Sequence, residues 1–263
     1  MIRKHLKIMR CYFRMNLASA LEYRASFFVQ AFGMALSNSS FIFFWWIAFI
    51  RIGGQIAGYT FRDILFIWAV ASSGFGIAHI FFANAGALTQ LIVTGELDAF
   101  LLQPCNVLLN VLCARTTLSA YGDFAYGLIL MCIVYWGNGA AWLWYLVGIL
   151  CCCALMTAIL LSANSLTFYW GDASAPARFA TELMINMSLY PDKVFGPPVR
   201  ALMYSLIPVG FAVHIPLRLL NGAPAGLASI SVLGSALFCA LSALMFYRGL
   251  KRYESGNIIV TRL

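Results

Sequence analysis

Hydrophobic and polar positions fall in long blocks along this chain. Apolar runs cover about 25–50, 63–90, 107–136, 142–170 and 225–247, separated by short polar or glycine-containing turns. Each exceeds the ~20 residues that a membrane-crossing helix needs. Two of them, 107–136 and 142–170, are longer than a ~30 Å hydrocarbon core requires, which predicts tilt, a kink or extension beyond the bilayer. The first run ends in Phe41, Phe43, Phe44, Trp45, Trp46 and Phe49, an aromatic cluster suited to a membrane interface. Ahead of it, residues 1–23 read as an amphipathic helix lying on the inner membrane surface. Ile2, Leu6, Met9 and Phe13 share one face and dip toward the acyl chains, while Arg3, Lys7, Arg10 and Arg14 form a basic stripe for anionic headgroups, each charge worth ~1 kcal/mol.

The pattern is harder to read between Asp172 and Asn221. A short apolar stretch to Tyr190 is followed by Pro191, Asp192, Lys193, Gly196, Pro197 and Pro198, then by an apolar run broken at Pro208 and Pro216. Either 175–190 is the fifth span and 191–221 a pair of half-helices re-entering from the outer side, or 199–217 is itself the fifth span. The re-entrant reading is the favoured one. Broken helices are tolerated at membrane depth only where protein or a wet cavity surrounds them, so both readings place this region near a pathway. The expected fold is therefore all-α and polytopic: one membrane domain over 1–263, with a six-span core over 25–250, an amphipathic lead helix and re-entrant half-helices before the last span.

Composition supports this class. The 263 residues are 62% hydrophobic and 10% charged, with a mean hydropathy of +0.86, whereas charged residues make up about a quarter of a soluble domain. Six spans use most of this length and leave no room for an ATPase or other catalytic domain of ~100 residues. The net charge of +8 follows membrane topology rather than nucleic-acid binding. Of 17 Lys and Arg, eleven fall on the inner side, five (Arg51, Arg62, Lys193, Arg200, Arg218) on the outer side, and Arg115 inside the third span. By the positive-inside rule both termini are cytoplasmic. The charged start does not read as a signal peptide. Eight cysteines lack metal spacing; Cys151, Cys152 and Cys153 point ~100° apart on a helix and read as small apolar filler.

Polar residues at depth are costly and are therefore candidates for function. Asp123, Glu182, His79 and Asn186 are candidates for a pathway or for contacts between helices, as is the run Ser37 to Ser40 with its Asn38. Arg115 lies roughly 12 Å along the helix axis from Asp123, too far for a simple contact. No catalytic constellation, cofactor site or metal cluster is legible. The chain has no G-x-x-x-x-G-K-[ST] loop, so it does not bind and split ATP by that route.

The inner turn after the second span, 91–106, contains GELDAFLLQP. Leu97, Phe100 and Leu101 are spaced i, i+3, i+4 and form one apolar face, and Glu96 and Asp98 near the helix start suit its dipole. A helix of this kind can transmit a push from a soluble partner. Charge reversal at Glu96 and Asp98, or Leu101→Asp, would then uncouple the two.

TGELDAFLLQP, YPDKVFGPP followed by IPVGF, the ending LKRYESGN and the span pattern together resemble the membrane subunit of bacterial type-2 ABC exporters, in particular permeases of roughly 260 residues with an inner turn G-x-L-D-x-x-L-x-x-P. The resemblance implies a coupling segment at Gly95, Glu96, Leu97, Asp98, Phe100, Leu101 and Pro104 docking on separate ATPase subunits. It further implies two such subunits carrying ATP and Mg, a second permease subunit (the same chain or a relative) and a setting in membrane lipids of the bacterial cytoplasmic membrane. Lipids, amphipathic drugs or peptides are the expected cargo. Two other classes remain open: a proton-coupled secondary transporter titrating Asp123 and Glu182, and a membrane enzyme acting on lipid-linked substrates.

Overall fold

The computed structural model describes residues 2–254, with side chains described from residue 7 onward. Helices dominate; the sole β feature among the described residues is an isolated bridge between Ile56 and Tyr59. The lead helix α1 (Ile2–Glu22) turns at Tyr23 into α2 (Arg24–Ile52), which Gly53, in the left-handed region at φ 96°, brings to an end. Thr60 and Asp63 form a reciprocal capping box that starts α3 (Phe61–Phe81). A 3₁₀ turn over Ala83–Ala87, α4 (Leu88–Thr94) and α5 (Leu97–Leu101) follow. Asn106 caps α6 (Val107–Cys113), which is separated by an irregular stretch from α7 (Ser119–Tyr135). Asn138 caps α8 (Gly139–Ser165), extended by the single turn α9 (Thr167–Trp170). The remainder comprises α10 (Ser174–Leu189), α11 (Pro197–Leu202), a π turn over Gly210–His214 running into α12 (Ile215–Leu220), and α13 (Gly226–Leu250).

Among the described residues four segments are long and apolar enough to cross a membrane: Arg24–Ile52, Phe61–Phe81, Gly139–Trp170 and Gly226–Leu250. Ser119–Tyr135 and Gly210–Leu220 are shorter apolar helices. Burial orders them. The apolar window of α3 is 78% buried, those of α2 and α13 only 17%, so α3 is the centre and α2 and α13 are the flanks. The packing is a row, α2 on α7 on α3 on α8 on α13, with α10 and the 210–220 helix laid across α3 and α8.

Small residues make the row tight, as expected where lipid removes the hydrophobic drive between helices. A Cβ at Gly127 of α7 would stand 2.5 Å from the Ala69 carbonyl oxygen of α3, and one at Gly122 would stand 2.2 Å from the Ala31 oxygen of α2. Cys152 fills the equivalent position on the other side, over Gly74.

Two differences from the sequence reading follow, in the second and third spans. The second span does not run unbroken to residue 90: the α-helix stops at Phe81, and Asn84 Nδ2 donates to the Val111 carbonyl of α6 at 2.6 Å. The third is interrupted at 114–118, where Thr117 N–H donates to the His79 carbonyl at 3.1 Å. Arg115 therefore lies exposed in a break between helices, and its placement inside a span is corrected. In the proline-broken region, residues 207–217 pack against α3, α8 and α13, while both ends return to the end of the bundle that carries Tyr59 and Asp63. Proline explains this path, since it removes the donors a continuous helix would need.

Candidate functional site

The 95–104 segment lies at the end of the bundle that also carries α1 and the last turn of α13. Gly95, at φ 78° in the left-handed region, lets α4 bend directly into α5. The five-residue helix does not offer one uniform apolar face. Leu97 is fully buried and Phe100 packs against the core, whereas Leu101 is 38% and Leu102 86% exposed. The expectation that Leu97, Phe100 and Leu101 act together is thereby corrected: a helix this short, tucked against α6, uses one side to anchor itself. Its projecting edge is Glu96, Leu101, Leu102 and the exposed Pro104. Asp98 is half-buried and faces Tyr253; burial and that carboxylate push the Tyr253 phenol up to about 12. Asn106 Nδ2 donates to the Tyr247 hydroxyl at 2.9 Å, and the Tyr12 hydroxyl donates to Gln103 Oε1 at 3.4 Å. The segment is thus tied to α13 and α1.

On α1, Lys7, Arg10 and Arg14 are exposed, and the side chain of Arg3 lies outside the described residues. The apolar stripe meets protein: Phe13 stacks on Phe81 with ring centroids 5.1 Å apart, Met9 packs against the core, and Asn16 Nδ2 donates to the Cys113 carbonyl at 3.1 Å.

Among the intramembrane candidates the structure joins three and separates one. Asp123, His79 and Asn186 line one cavity of about 410 Å³ between α2, α3, α7 and α10. Asn38 Nδ2 donates to Asp123 Oδ1 at 2.8 Å, and the Ser72 hydroxyl donates to the Asp123 backbone carbonyl at 2.6 Å. His79 Nδ1 pairs with the Phe75 carbonyl at 2.9 Å. Glu182 is exposed and lines a different cavity of about 520 Å³, with Gln90, Thr94, Asn164, Asp172 and Arg178. The aromatic part of the first cavity, Phe41, Trp45, Trp68 and Tyr190, carried no functional signal in the sequence, where Phe41 and Trp45 read as part of an interface cluster.

A second polar centre, at the far end, escaped the sequence reading. The Tyr59 hydroxyl and the Arg218 guanidinium both donate to the fully buried Asp192 carboxylate. Burial acts to raise this carboxyl, but Tyr59, His214 and Arg218 outweigh it and hold the group below the usual carboxylate range. Nearby, Asn221 Nδ2 donates to Asp63 Oδ1 at 3.0 Å, tying α12 to the cap of α3. Only the fold brings together Tyr59, Asp192 and Arg218, which lie far apart in sequence.

No curated protein and no solved structure matches this chain. A family model described as an ABC-2 family transporter protein matches residues 36–256, well over half of the chain, and covers the row of helices, both polar centres and the 95–104 segment. The family is a membrane transport component that normally works with ATPase subunits. This chain belongs to the ABC-2 family of transporter proteins.

Proposed function

We propose that this chain is the permease subunit of an ATP-driven exporter, that it crosses the bacterial cytoplasmic membrane six times with both termini inside, and that it pairs with a second permease subunit above two ATPase subunits. The observation that carries the reading is the projecting edge of 95–104. A buried anchor at Leu97 holds Glu96, Leu101 and Leu102 out at the end of the bundle as an exposed apolar and acidic ridge. An ATPase surface with a matching groove and basic rim would fit it. Force applied there passes through α5 into α6 and, by way of Asn106 and Tyr247, into α13. In this topology α7 supplies the third crossing beyond α6, α10 the fifth, and 207–220 is the re-entrant half-helix region.

The proton-coupled alternative would place Asp123 and Glu182 on one proton path, yet they line separate cavities. The test is to purify the complex in mild detergent from the native host and compare it with Glu96→Arg and Leu102→Asp variants. A stoichiometric ATP-binding subunit is expected, and both variants lose export in vesicles at least tenfold while the chain keeps its elution profile. Absence of such a subunit, or full coupling in both variants, refutes the reading.

A further inference from the structure

The Asp123 cavity has an unusual balance of groups. Among its lining residues there is no Lys or Arg, and the one formal charge is the Asp123 carboxylate. Among the described residues Asn38 is the single side-chain hydrogen-bond partner of that carboxylate, through one oxygen. A carboxylate at membrane depth normally faces a compensating charge or a wet cavity, because an uncompensated one is costly. Asn38 and Ser72, which flank it, lie near the midpoints of α2 (Arg24–Ile52) and α3 (Phe61–Phe81), so the group is central rather than at a boundary.

Two of the other polar groups offer acceptors. His79 is bonded through Nδ1 to the Phe75 carbonyl; when Nδ1 carries the proton, Nε2 is an acceptor. Asn186 donates one amide N–H to the Glu182 carbonyl at 2.8 Å and keeps its side-chain oxygen as an acceptor beside its second N–H. Toward the far end the walls are aromatic: Phe41 stacks on Trp68 with centroids 5.5 Å apart, and Trp45 meets Tyr190 edge-on at 5.6 Å. Faces of this kind attract cations and accept apolar bodies. The volume of about 410 Å³ falls in the range of small-molecule sites, ~300–1,000 Å³.

We infer that this cavity binds a lipophilic monocation, with its ammonium or phosphonium centre against Asp123 and its apolar part among Phe41, Trp45, Trp68 and Tyr190. The inference rests on the permease reading only for its meaning as cargo recognition; binding itself can be measured without an ATPase. An anionic amphiphile would meet the carboxylate with like charge, and a neutral lipid chain would leave it uncompensated.

The experiment uses the purified full chain in detergent and scintillation proximity with radiolabelled tetraphenylphosphonium. Competition compares benzyltrimethylammonium with neopentylbenzene, its uncharged isostere. Saturable binding is expected, displaced by the cation at a concentration at least tenfold lower than by the isostere. Asp123→Asn keeps the shape and should weaken tetraphenylphosphonium tenfold or more at unchanged elution and melting temperature, and Asp123→Glu should recover part of the loss. No saturable binding, equal displacement by the two isosteres, or unchanged affinity in Asp123→Asn overturns the inference. If Asp123→Asn does not fold, the isostere pair on the unaltered chain decides alone. Monocation binding together with full coupling in the Glu96 and Leu102 variants would refute the docking assignment and leave the site standing.

Discussion

Gly127→Ala should separate the two helices at the centre of the row. The added Cβ would lie 2.2 Å from Ser73 Oγ and 2.5 Å from the Ala69 carbonyl oxygen, where ordinary contact begins at 3.4 Å. The serine hydroxyl can rotate away, but at the expense of its 2.6 Å hydrogen bond with the Tyr145 hydroxyl. The Ala69 oxygen is helix backbone, so α3 and α7 must part locally by 3.4 − 2.5 = 0.9 Å. Overpacking of this kind costs ~1–3 kcal/mol and the lost hydrogen bond ~1 kcal/mol. Alanine's better helix propensity returns up to ~1 kcal/mol. The net expectation is a destabilisation of about 1–3 kcal/mol. Gly139→Ala, where nothing lies within 4 Å, is the control and should stay within ~0.5 kcal/mol of the parent. Equilibrium unfolding in mixed SDS micelles, followed by tryptophan fluorescence, measures both. Equal stability of Gly127→Ala and the parent would refute the close approach of α3 and α7.

Three further outcomes are expected. Arg218→Gln, which leaves the buried Asp192 without its counter-charge, should cost more than Asp192→Asn; because Arg218 is 39% exposed, its cost belongs near the lower end of ~3–5 kcal/mol. Asp192 sits below its unfolded value of ~3.9, so its contribution is complete above that pH and fades as pH falls through the folded value; Asp192→Asn should therefore lose the parent's acid-side drop in melting temperature attributable to this group, and an identical acid profile in the variant contradicts the assignment. Leu97→Ala should destabilise by ~2–5 kcal/mol and Leu102→Ala by no more than ~0.5 kcal/mol, and the reverse order in the same unfolding assay would place the wrong side of α5 against the core.

The long apolar blocks were legible in the sequence because hydropathy decides them. The breaks were not. Residues 114–118, Ala-Arg-Thr-Thr-Leu, contain no proline or glycine, and the interruption depends on the His79 carbonyl supplied by another helix. The periodicity of 97–101 identified an amphipathic helix, but which residues anchor it and which project depends on α6. Asp123 stood out as a charge in an apolar run, whereas its partner Asn38 lies 85 residues away and its aromatic surroundings come from three other helices. Likewise the Asp192 centre joins a loop, a 3₁₀ turn and a half-helix whose meeting no local pattern announces.

The two interruptions, at 82–87 and 114–118, lie side by side, joined by the Asn84 to Val111 and Thr117 to His79 hydrogen bonds. They form a fault line across two neighbouring helices, with α4, α5 and α6 as a short foot on one side and the glycine-sealed slab of α3, α7 and α8 on the other. Under the proposed function, a load on Leu101 and Leu102 would meet the foot first. The line also passes beside His79 and Thr117, which line the Asp123 cavity, so under the same proposal a tilt of the foot would reach that cavity before the slab has to bend.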